Sequence, residues 1–137
     1  MGEGKSFSAR VRAGDDPAPA ILAVLAAAEQ FVEGAQIAHA LAARLLIVVE
    51  ELVSNALRHG GADRDCEAAL RLAAIDGGVR LELEDTGRAF DPFAERPFAG
   101  PDRETGGGVG LELVRRWAGD TSYRYAGGRN RVCLTLR

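Results

Sequence analysis

Residues 79–87 read VRLELEDTG. Side chains alternate across a strand, so Val79, Leu81 and Leu83 share one face while Arg80, Glu82 and Glu84 share the other. Such a segment is a half-buried β-strand. Asp85 keeps the parity of the leucines and ends the strand on its apolar side, where a carboxylate is costly unless something donates to it. Alternatively the chain has already left the strand at Asp85, and the side chain caps the Thr86–Gly87 turn.

Working outward, the Asp76-Gly77-Gly78 turn signal joins this strand to a second one over Cys66 to Ile75,. A third alternating stretch, Lys5 to Ala13, sets Phe7, Ala9 and Val11 against Ser8, Arg10 and Arg12. Thr121 to Ala126 and Arg131 to Leu136 form a second hairpin across GGRN at 127–130. Asp16-Pro17 opens a helix from Ala18 to Val32 that Gly34 ends,. A longer helix is predicted from Gln36 to His59, stopped by Gly60-Gly61, and a short one from Val109 to Trp117,. The Gly- and Pro-rich stretch from Ala89 to Gly108 has no periodicity and is expected to be a long functional loop,. Hairpins dominate these connections. The fold class expected is therefore α+β, a two-layer sandwich of a mixed, mostly antiparallel sheet with helices on one face.

With 137 residues, 1–137 is expected to be a single domain with one core,. Aromatic residues are only 6% of the chain, so that core must be built from Leu, Val, Ala and Ile. A net charge of −3 with no basic stripe argues against a nucleic-acid partner,. Cys66 and Cys133 lack metal-type spacing and are too few for a disulfide framework; buried thiols in a reducing compartment are expected,. No signal-peptide core or membrane-length apolar run is present, so the expectation is a cytoplasmic chain, complete as it stands, with no membrane partner,.

The longest helix ends in EELVSNALRHGG, residues 50–61. At about 100° per residue, Leu45, Val49, Leu52, Val53 and Ala56 fall in one arc. Glu51, Asn55, Arg58 and Arg44 fall opposite, with His59 one turn beyond Asn55, while Glu50 lies near the edge of the apolar arc. A solvated face is the usual meaning of such a stripe. Against it, Asn and Ser are poor mid-helix residues with no local role here. In ETGGGVGLELVRRW, residues 104–117, three glycines open a helix, which suits close backbone approach to an anion,.

Together, EELVSNALRHG, DTGRAFDP and GGGVGL resemble the asparagine box and the two glycine boxes of the GHKL ATPase superfamily, whose Bergerat fold matches the layers predicted above. The similarity spans essentially the whole chain. Within the superfamily the chain resembles the small anti-sigma-factor serine/threonine kinases of bacterial partner switching. That resemblance implies ATP and Mg²⁺ as cofactors, with Glu51 as general base and Asn55 as magnesium ligand. It implies that Asp85 accepts from the adenine amino group and that Gly87 lets the backbone approach the ring. Thr105, Gly106, Gly107, Gly108, Val109, Gly110 and Leu111 would line the nucleotide, with Arg58 and His59 near the phosphates and Ala89–Thr105 as a lid. The partners implied are an anti-anti-sigma protein with a STAS domain, a sigma factor or other regulated target, and a second copy in a homodimer. One departure stands out: the first glycine box usually reads DxGxG, and Ala89 replaces its second glycine. A nucleotide-responsive binding adaptor with little kinase turnover is the alternative.

Overall fold

The computed structural model describes residues 4–59, 63–94 and 109–137. Among the described residues, five strands and three helices follow one another as β1 (Lys5–Val11), α1 (Ala18–Gly34), α2 (His39–His59), β2 (Cys66–Ile75), β3 (Gly78–Asp85), α3 (Val109–Trp117), β4 (Gly119–Ala126) and β5 (Arg129–Leu136). The sheet order is β1-β2-β3-β5-β4. All four pairings are antiparallel, which sharpens the expected mixed sheet.

β3 is the central strand, and its alternation is the one read from the sequence. Val79, Leu81 and Leu83 are buried with Leu70 and Leu72 of β2 and Val132, Leu134 and Leu136 of β5. These side chains share one core with Ile21, Val24, Ala28 and Phe31 of α1 and Leu45, Val48, Val49, Leu52 and Val53 of α2. Helices thus cover one face of the sheet. The other face carries ion pairs such as Arg10–Glu67 and Arg80–Glu82, both 3.2 Å. Partly exposed pairs of this kind each contribute about 1 kcal/mol or less. Phe31 is the one buried aromatic among the described residues, as the sparse aromatic content requires. Cys66 and Cys133 are buried free thiols.

The turns differ in detail from expectation. α1 runs to Gly34, and the reversal is made by Gln36 at φ 54° rather than by the glycine. Gln36 N–H donates to Glu33 O (3.2 Å) and Ile37 N–H to Val32 O (3.1 Å), the paired bonds of a Schellman stop,. α2 therefore begins at His39, three residues later than predicted. In the last hairpin Gly127 (φ 60°) and Gly128 (φ 75°) form a two-residue turn whose left-handed conformations suit the sheet's twist,. β5 consequently starts at Arg129, two residues before the predicted Arg131, and β4 starts at Gly119 rather than Thr121. That two-residue extension brings Asn130 into register with Asp85.

Candidate functional site

Strand β3 delivers Asp85 to the helix-covered face, where it is 6% exposed. The chain has not left the strand at Asp85, yet the residue also makes the turn-capping bond of the alternative reading. Asp85 is the last residue of the strand, and its Oδ1 accepts from the N–H of Gly87 at 2.8 Å, closing the turn that follows. The same Oδ1 accepts from Asn130 Nδ2 at 2.9 Å. No donor among the described residues reaches Oδ2. Burial pushes the Asp85 pKa above the usual carboxylate value. The hydrogen bonds from Asn130 and Gly87 pull it back, and the charge of Glu84 adds to the rise.

Asp85 lines a cavity of about 240 Å³ between α2, the ends of β3 and β5, and residues 88–92. Leu52, Ala56, Leu83 and Val132 supply apolar walls; Asn55 and Asn130 supply amides. An apolar slot with a few convergent polar groups is the usual form of a small-molecule site. Asn55 is half-buried, and among the described residues its amide makes no hydrogen bond, so its oxygen is available to a ligand.

One turn before Asn55, Glu51 is half-buried where α2 meets α3, while Glu50 is exposed. A Cβ built on Gly110 would overlap the Glu51 carboxyl group, so a larger residue there would have to displace that side chain. The carboxylate thus faces the first turn of α3, the positive end of that helix. Burial, and then the neighbouring charge of Glu50, raise the Glu51 pKa above its ordinary value. α3 is further fixed on α2 by Arg44, whose guanidinium lies 5.6 Å from the Trp117 ring centre. It is fixed on the loop by Arg115, which donates to Pro92 O at 3.2 Å.

A match to the model of the histidine kinase-like ATPase domain covers residues 15–136. The chain belongs to that family. A chain of the crystal structure of the SiaB–SiaC complex from Pseudomonas aeruginosa has a similar fold, with a TM-score of 0.54 and 15% identity over 96% of this chain and 88% of that one. No curated protein matches the sequence.

The fold brings Asp85 and Asn55 to one cavity, with Gly87 buried beside it and Glu51 one turn along α2. Arg58 is exposed, outside the cavity lining, and donates to Ser54 Oγ at 3.2 Å. Leu111 packs against the core. Thr105, Gly106, Gly107 and Gly108 lie outside the described residues, and Val109 and His59 are placed only as helical termini. Among the described residues no group of three or more His, Cys, Asp or Glu could hold a metal by itself. A hard cation here would need oxygens from a phosphate ligand beside Asn55. Asn130 and Tyr123 escaped the sequence reading. Asn130 nevertheless shares the parity of Val132, Leu134 and Leu136, the same signal that singled out Asp85.

Proposed function

We propose that this protein is an ATP-dependent serine/threonine protein kinase of partner-switching type. It would bind a sigma factor or other regulated target and phosphorylate a STAS-domain anti-anti-sigma partner, acting as a cytoplasmic homodimer. The observation that carries the reading is the placement of two carboxylates, Asp85 in the cavity with Asn55 and Glu51 one turn before Asn55 on α2. Among the described residues no donor reaches Asp85 Oδ2, and Glu51, with its raised pKa, has no hydrogen-bond partner where α2 meets α3. Membership of an ATPase-domain family supports ATP as the ligand. The similar fold of a chain found in a two-protein complex, SiaB–SiaC, supports a protein as the second substrate.

In this reading the free Oδ2 of Asp85 accepts from the adenine amino group. Leu52, Ala56, Leu83 and Val132 sandwich the ring. Asn55 would hold Mg²⁺, which when bound neutralises charge on the phosphates. The incoming Ser or Thr hydroxyl gives its proton to Glu51 as its oxygen bonds the γ-phosphorus. The bond from that phosphorus to the β–γ bridging oxygen breaks, and ADP leaves. A base is most effective when its pKa approaches the working pH, and burial moves Glu51 in that direction,. The phosphates would lie toward Gly106–Gly108 and the start of α3, with Arg58 and His59 near them.

The experiment is incubation with labelled ATP and a candidate STAS-domain protein, followed by acid treatment of the product. Acid-stable label on the partner is the expected result. Acid-labile label would mean transfer to histidine. Nucleotide-dependent binding without label would make the protein an adaptor.

A further inference from the structure

The side-chain amide of Asn130 is fully engaged. It is 3% exposed. Its Nδ2 donates to Asp85 Oδ1 (2.9 Å) and Arg88 O (2.8 Å), with a longer contact to Gly87 O (3.3 Å). Its Oδ1 accepts from Phe90 N–H (3.0 Å) and from Tyr123 Oη (2.5 Å). Two N–H groups and two lone pairs are all an amide has, so nothing remains for a ligand. The partners also fix which end of the amide is which, because a carboxylate and two carbonyls must face nitrogen while a backbone N–H must face oxygen.

Two of these bonds bracket a single residue. Arg88 O accepts and Phe90 N–H donates on either side of Ala89, so the Asn130 amide pairs with that segment as a neighbouring strand's peptide group would. Ala89 is also absent from the residues at positive φ, so its backbone is one that any L-residue adopts. The loop is thus held in shape by a side chain of β5 rather than by a glycine of its own. The same amide occupies one lone pair of Asp85, and Gly87 N–H occupies another on the same oxygen. The carboxylate is thereby locked with Oδ2 toward the cavity. Tyr123 Oη accepts from Phe90 N–H at 3.0 Å and donates to Asn130, bracing the clamp from β4. Burial raises the Tyr123 pKa, which keeps its hydroxyl a donor.

We propose that Asn130 is a positioning residue that sets base selectivity, through a clamp that joins Asp85 to the Gly87–Phe90 loop and is braced by Tyr123. The proposal rests on the reading of Asp85 as the adenine acceptor. A clamp makes the site discriminate for the purine amino group; a merely structural Asn130 would affect all nucleotides alike.

The test is titration of wild type and Asn130→Ala with ATP and with purine riboside triphosphate, which lacks the amino group. Wild type is expected to prefer ATP by about ten- to hundredfold, the value of one hydrogen bond to a buried charge. In Asn130→Ala that preference should fall to about threefold or less, the carboxylate no longer being held on target. A folded variant that keeps the wild-type preference, with both affinities lowered equally, overturns the proposal alone. A wild type without preference removes the adenine reading and the proposal with it. If Asn130→Ala does not fold, Tyr123→Phe decides. It removes only the brace, and the preference should drop severalfold; an unchanged preference overturns the clamp.

Discussion

Asp85 in the cavity and Glu51 at the α2–α3 contact meet burial in opposite ways. At the Asp85 end burial is answered by donors: Gly87 N–H and Asn130 Nδ2 both bond to Oδ1 and oppose the rise in pKa. At the Glu51 end no donor among the described residues answers burial, and Glu50 pushes the pKa further up. A carboxylate held by donors has a fixed direction, which suits recognition. A carboxylate left unanswered binds a proton more readily, which suits a base. Two acids drawn out of water to different degrees can thus be assigned different work from their partners.

The largest effect expected from breaking this contrast is chemical. Glu51→Ala should lower single-turnover phosphorylation of the partner by about 10²–10⁴-fold, the usual contribution of a positioned base. Glu50→Ala, on the exposed side of α2, should leave the rate nearly unchanged. Equal losses in the two variants would remove the distinction between the faces of the helix.

Next in size is a packing effect. Gly110→Ala places a methyl where the Glu51 carboxyl group lies, in a tightly packed α2–α3 contact. The obstructing atoms are the far end of a half-buried side chain, so the cost should be about 1 kcal/mol, the low end for overpacking, which a denaturant titration would read,. The loss should shrink when Glu51→Ala is made in the same molecule, since the obstructing group is then gone. A loss of the same size in both backgrounds would place the clash elsewhere.

The smallest expected effect concerns pH. A folded-state pKa above the unfolded value means that Glu51 contributes stability fully below the unfolded value. That contribution is lost as the pH rises through the folded one,. At neutral pH Glu51 therefore costs stability, and Glu51→Gln should melt slightly above wild type,. The advantage should disappear near pH 4. Thermal melts at the two pH values check the sign, and an advantage that grew toward acid would contradict it.

Much of this was legible in the chain because short periodicities report it. The alternation from Val79 to Asp85 marks the central strand and the inward acid, and the helical wheel sets Glu51 and Asn55 on one face, although Glu50, expected near the edge of the apolar arc, is exposed while Glu51 is half-buried. What remained hidden depends on contacts distant in sequence. Asn130 reads as a turn residue beside Gly127-Gly128, and only the Asp85–Asn130 register, which spans 45 residues, reveals the clamp. The approach of Gly110 to Glu51 likewise depends on how α3 docks on α2, which no local pattern encodes. The late start of α2 follows from Gln36 taking a left-handed conformation usually given to glycine.

The central claim is that Asp85 holds the base while Glu51 serves only the transfer. Calorimetric titration of magnesium-ATP into wild type, Asp85→Asn and Glu51→Gln tests it in one comparison. The account predicts that Asp85→Asn loses about ten- to hundredfold in affinity while Glu51→Gln binds as wild type does. Wild-type affinity in Asp85→Asn would contradict it, leaving Asp85 a turn cap and the cavity beside it without the adenine.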